Sequence, residues 1–158
     1  MGMGDFAEVH FRVRLKSETP IYIINLLTYM MGRGEKPTKI PTDPLFNYKR
    51  WGSMLSAQAD DNNIAKMTNA LEHINNGWNL VVTSVFRDTG EIEAFFKWIS
   101  KYLMESWLDY VGYIKYDTSD HPILIYNSFN GIQYLKVDCD EEDNKDDVLL
   151  SWKIKNIK

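Results

Sequence analysis

The chain has 158 residues, 44% hydrophobic, 13% aromatic and 25% charged, with a formal net charge of -4. These values fit one globular domain with a core of its own and exclude bulk disorder, collagen and coiled coil. No apolar stretch approaches the ~18 residues of a membrane-spanning helix, so no membrane partner is expected.

Alternation over residues 7–16 predicts a half-buried strand. Val9, Phe11, Val13 and Leu15 point one way, and His10, Arg12, Arg14 and Lys16 the other. Thr19-Pro20 reads as an N-cap with proline at the first helical position. Ile21, Ile24, Leu27 and Met31 then recur at helical spacing, and Gly32 stands where a helix stop belongs. Residues 32–47 carry Gly32, Gly34, Pro37, Pro41 and Pro44 and read as a long loop. A second strand is expected over 50–57, around Trp51, Met54 and Leu55, with a polar turn at 59–64. Residues 67–74 fit a strand or a short helix. Asn75-Asn76-Gly77 is a tight-turn signal, and it favours a hairpin with the alternating strand Trp78–Phe86.

Asp88 with Glu91 has capping-box spacing, with Asp in place of the usual Ser or Thr. The stripe Ile92, Phe95, Phe96, Ile99, Tyr102 and Leu103 predicts an amphipathic helix behind it. Residues 109–116, 123–127 and 132–137 read as an antiparallel meander, and Val148, Leu150 and Trp152 as a last short strand. The expected fold is a single α+β domain over 7–158. It is a two-layer sandwich of a mainly antiparallel sheet with two helices on one face, in the order β-α-β-β-β-α-β-β-β. Residues 1–6 are expected to be flexible. They lack the cationic and apolar regions of a secretory signal, and Cys139 is a lone cysteine, so a reducing, cytoplasmic setting is expected.

The sequence holds few residues in chemically diagnostic patterns. The acidic run Asp138, Asp140, Glu141, Glu142 and Asp143 does not fit a calcium loop. Starting at Asp138 puts Asp143 and Leu149 where Gly and Glu are needed, and starting at Asp140 puts Lys145 and Ser151 there. It reads as a solvated loop, or as a docking surface for a basic partner. His10, His73 and His121 lack helix-type metal spacing, although strands could bring His10 and His73 together. Cys139 lies among carboxylates that disfavour its thiolate. Gly32-Arg33-Gly34 follows a helix rather than a strand, so it is no phosphate loop. No catalytic residue, metal site or cofactor is assigned.

The charge is uneven. Residues 1–58 hold eight Lys/Arg against five Asp/Glu, and residues 59–158 hold ten against seventeen. The basic part contains one cluster worth naming as a candidate binding surface: Arg33, Lys36 and Lys39, then Tyr48, Lys49, Arg50 and Trp51, with Arg12 and Arg14 on the outer face of the first strand. Rings interleaved with cations can stack bases and hold phosphates, and the same mixture anchors protein interfaces. The other reading is that Phe46 and Trp51 are core while the cations solvate the edge. Net acidity disfavours direct nucleic-acid binding, so another protein is the expected partner.

Three segments carry a resemblance. They are Thr42-Asp43-Pro44-Leu45-Phe46-Asn47-Tyr48-Lys49-Arg50-Trp51, then Glu91-Ile92-Glu93-Ala94-Phe95-Phe96-Lys97-Trp98-Ile99, and last Val111–Tyr116 with His121–Tyr126. Over residues 7–127 the chain resembles a family of small uncharacterised α+β proteins encoded in bacterial genomes, mobile elements and phages. It departs from that family after Trp51, where Gly52-Ser53-Met54-Leu55-Ser56-Ala57 replaces an Arg-Cys-Asp-Ser-Tyr-Tyr-like run. The resemblance implies a compact α+β domain in a mobile-element or phage context and transfers no catalytic residue.

The expected function is therefore a non-enzymatic protein-binding module, such as an inhibitor of a host defence system. Two alternatives stay open: an immunity-type partner that neutralises a toxin, and an anionic-ligand binder or enzyme with a pocket between sheet and helices. The exposed edge of the sheet offers a route to a homodimer.

Overall fold

The computed structural model describes residues 6–56, 69–87, 89–138 and 153–157. Strand β1 (Phe6–Lys16) leads into helix α1 (Ile21–Met30). A loop with two 3-10 turns, Pro44–Asn47 and Trp51–Ser53, follows. Hairpin β2 (Ala70–Ile74) and β3 (Gly77–Arg87) precedes helix α2 (Glu91–Ile99) and a 3-10 turn, Ser100–Tyr102. The chain continues as β4 (Leu108–Tyr116), β5 (Ile123–Ser128), β6 (Gly131–Asp138) and β7 (Lys153–Ile157). The seven described strands form one sheet in the order β2-β3-β1-β4-β5-β6-β7, and every neighbouring pair is antiparallel. This is an α+β two-layer sandwich.

The first strand sits at the centre because both hairpins return to it, β3 on one side and β4 on the other. Its alternation is real: Ala7, Val9, Phe11, Val13 and Leu15 are all buried, and Arg12 and Arg14 are exposed on the opposite face. The buried face meets both helices in one core. Phe11 lies 5.5 Å from Phe95 and 5.2 Å from Phe96 between ring centroids, in tilted and edge-on arrangements that aromatic quadrupoles favour.

Helix α1 stops where Gly32 predicts. The Gly32 amide donates to Tyr29 O at 2.9 Å and the Arg33 amide to Thr28 O at 3.0 Å, and Gly32 takes φ +82°. That is the paired bonding of a left-handed helix stop. Its start differs from expectation. Pro20 is the N-cap and Thr19 makes no cap. The Thr19 hydroxyl instead donates back to Lys16 O at 2.6 Å, closing the turn that leaves β1.

Of the strand expected over 50–57, the described residues 50–56 form none. Met54 and Leu55 are consecutive and both fully buried, which a strand with one open face cannot achieve. They reach the core through the Trp51–Ser53 turn, pressed against α1, and Ser84 Oγ donates to Met54 O at 2.6 Å. Residues 67–74 resolve as a strand over Ala70–Ile74. The last strand is Lys153–Ile157; residues 148–152, where it was expected, lie outside the described residues. The described order is therefore β-α-β-β-α-β-β-β-β.

The capping box before α2 is replaced by another arrangement. Gly90 is the N-cap at φ +90°, and Glu91 Oε2 accepts the Arg87 amide at 3.0 Å. Asp88 lies outside the described residues. Glu91 is buried, and its Oε1 sits 3.5 Å from Arg50 Nε, while Arg50 Nη2 donates to Val85 O at 2.9 Å. One carboxylate thus ties the end of β3, the start of α2 and the long loop together.

Tyr134 of β6 packs under α2, 6.4 Å from the Phe96 ring. Burial, followed by the nearby negative charge of Glu93 and by Tyr116, pushes its hydroxyl well above tyrosine's usual 10. The folded state then holds this proton more tightly than the unfolded chain does. The stabilisation is complete below pH 10 and falls as pH rises past it. Tyr134→Phe should flatten the loss of stability above pH 10, read as melting temperature against pH, and an unchanged slope would count against this burial.

Candidate interaction site

The pairing of β1 with β4 runs from Ala7↔Tyr116 to Phe11↔Gly112 and stops there. A bulge between Tyr110 and Gly112 shifts β4 against β5. Such an extra residue bends a strand and ends its pairing. Gly112 fits this break, because β1 backbone crowds the space a side chain would take: a Cβ would lie 2.7 Å from Phe11 Cα. Beyond this point β1 continues beside β3 while β4 leaves it.

The segment after the Ser100–Tyr102 turn fills part of the gap. Leu103 bridges to Leu15, the Met104 amide donates to Arg14 O at 2.9 Å, and Asn127 Nδ2 donates to Met104 O at 3.1 Å. The remainder is a cleft of about 360 Å³. Arg12 and Arg14 form one bank. Glu105, Asp109 and Tyr110 form the other, with Val13, Met104, Val111 and Asn127 completing the lining.

The four charged residues are exposed, and none makes an ion pair with another described residue. Both signs are present in equal number, so the cleft has no net charge with which to hold a lone anion. Its rim is apolar. Trp107 is 78% exposed, Phe129 65%, Tyr110 56% and Leu108 47%. Leu108 pairs with Ser128, next to Phe129 in the β5–β6 turn, and Tyr110 pairs with Tyr126 at a ring distance of 5.6 Å. One end of the sheet therefore gathers four large exposed apolar side chains. Scattered surface apolar residues are ordinary, whereas four large ones at one end of a sheet suit a contact surface.

The basic and aromatic cluster read from the sequence is divided by the fold. Arg12 and Arg14 stand on the open face of the sheet, whereas the loop carrying the rest packs into the core on the other face. There Trp51 is half-buried, 5.1 Å from Phe46 and 5.7 Å from Tyr29, with Lys36 Nζ 5.9 Å above its ring. Phe46 in turn meets Trp98 edge-on at 5.3 Å. Tyr48 is half-buried, its hydroxyl close against Gly90. Arg50 is held by Val85 and Glu91, and Arg33 Nη2 donates to Asn69 O at 2.7 Å. Arg33, Lys36, Lys39 and Lys49 remain exposed to solvent.

Asp138 ends β6, and Asp140, Glu141, Glu142 and Asp143 lie outside the described residues. His10 and His73 are not brought together. His10 Nδ1 lies 2.6 Å from Thr83 Oγ1 beside the Tyr113 ring, and His73 meets Trp78 edge-on at 4.9 Å.

Sequence reading missed Glu105, Trp107, Leu108, Asp109, Tyr110 and Phe129. The available signal was Gly112 inside an otherwise alternating strand, which marks a bulge or a close backbone approach. Comparisons of the chain with protein-family models, curated proteins and solved structures found no match.

Proposed function

We propose that the chain is a non-enzymatic protein-binding module that engages its partner through the cleft end of the sheet. The observation that carries this reading is the exposed group Trp107, Leu108, Tyr110 and Phe129, set beside exposed charges of both signs that form no ion pair among the described residues. Tryptophan, tyrosine and arginine are the residue types that dominate protein interfaces, because each combines a large contact area with a polar handle. The resemblance to mobile-element and phage proteins supports a host system as the source of the partner and inhibition as the outcome.

The test uses the wild-type chain and a Trp107→Ser/Tyr110→Ser variant as baits. Both should melt at nearly the same temperature, since exposed positions change stability by about 0.5 kcal/mol or less. A defined protein captured by the wild type should be lost by about tenfold or more in affinity with the variant, as expected for anchor residues. A third bait, Lys36→Ala/Lys39→Ala/Lys49→Ala, should retain that partner. Loss with this third bait alone would move the interface to the loop and overturn the assignment.

A further inference from the structure

We propose that the cleft and its apolar rim are a self-complementary interface, and that its occupant is a second copy of this chain. The inference rests on reading this end of the sheet as a protein contact, and self-association there competes with capture of a different protein. The ground is the arrangement of charge. Arg12 and Arg14 come from β1 on one bank, and Glu105 and Asp109 come from the β4 side on the other. A two-fold symmetric contact requires a surface that complements itself, each residue meeting a different residue of the copy. A two-fold axis lying along the cleft places each copy's arginine bank on the other copy's carboxylate bank.

Trp107 belongs to the carboxylate side, between Glu105 and Leu108 in the chain, so the same rotation brings it opposite the copy's arginines. A guanidinium over an indole ring is a favourable contact in its own right. A ligand of one sign would leave two of the four charges unsatisfied. A second copy pairs all four and covers the apolar rim at once.

Sedimentation velocity and light scattering of the full chain, over a dilution series up to a few hundred micromolar, provide the test. The wild type should shift with concentration from its 18.5 kDa monomer towards twice that mass. Two charge-reversed proteins, Arg12→Glu/Arg14→Glu and Glu105→Arg/Asp109→Arg, should each dimerise at least about tenfold more weakly. Mixed in equal amounts, they should recover a dimer containing one of each, an outcome that general destabilisation cannot produce. Trp107→Ser, a change at an exposed position, should weaken the dimer without the charge change.

A wild type that stays monomeric throughout overturns the inference. So does a dimer that all the variants form as tightly as the wild type. A monomeric wild type whose captured partner is still lost in the Trp107→Ser/Tyr110→Ser variant would leave the protein-binding reading standing without self-association. A monomer whose capture is untouched by those substitutions would end both.

Discussion

Gly112→Ala should cost about 3 kcal/mol or more and lower the melting temperature by about 6–12 °C, using the usual scaling for a chain of this size. Overpacking is mild when the obstruction is the end of a flexible side chain, which moves aside. Here the obstruction is backbone: a Cβ on Gly112 would overlap His10 O and stand 2.7 Å from Phe11 Cα and 2.8 Å from His10 C. Both residues belong to β1, the central strand, which is fixed from behind by eleven paired positions with β3. Relief requires β1 and β4 to separate where their pairing ends. Gly131 is the control. It takes φ +97° with nothing within 4 Å of a built Cβ, so Gly131→Ala tests backbone strain without a clash and should cost about 1 kcal/mol. Thermal melts of the two variants check the order. Equal melting temperatures would mean that the strands part freely at the bulge.

The position of that bulge also marks the limit of what the chain discloses in one dimension. Strands β1 and β3 are legible because one face is buried and the other open, so period-two alternation is written into them. The stop of α1 is legible because Gly32 supplies a left-handed conformation that a side chain resists. The Trp51–Ser53 region is not. Its apolar residues resemble a strand, but Met54 and Leu55 enter the core as consecutive residues of a turn, an outcome set by packing against α1 and by the Ser84 bond from β3. The cations misled for a related reason. Arg12 and Arg14 lie near Arg33 and Lys36 in composition, yet the sheet itself separates them. Their real neighbours, Glu105 and Asp109, are about ninety residues away, brought in by the antiparallel return of β4 beside β1. Trp107, Leu108 and Phe129 count as core by type, yet all three stand exposed at one end of the sheet.

Trp98→Ala should be the most damaging truncation in the helical layer, at about 3–5 kcal/mol, the range for deleting a buried large aromatic ring. Trp98 is 1% exposed and heads the group of largest fully buried side chains. Its ring is also a junction. Phe46 meets it edge-on at 5.3 Å, Tyr102 at 5.9 Å and Phe95 at 6.2 Å. Phe46 passes the contact to Trp51, and Trp51 to Tyr29 of α1. Removing Trp98 therefore does more than open a cavity beside α2. It takes away the surface against which the loop from Gly34 to Ser56 is seated. That loop carries exposed Lys36, Lys39 and Lys49, so loosening it offers trypsin new sites. Trp98→Phe retains the edge-on contact with Phe46 and should cost about 1–2 kcal/mol, with the loop still protected. Limited trypsin digestion well below the melting temperature separates the two effects. Early cleavage at Lys36, Lys39 or Lys49 in Trp98→Ala, but not in Trp98→Phe, is the expected pattern. If both variants resist trypsin as the wild type does, the loop is held by Leu45, Met54 and Leu55 alone, and the aromatic chain from Trp98 to Tyr29 contributes packing without anchoring it.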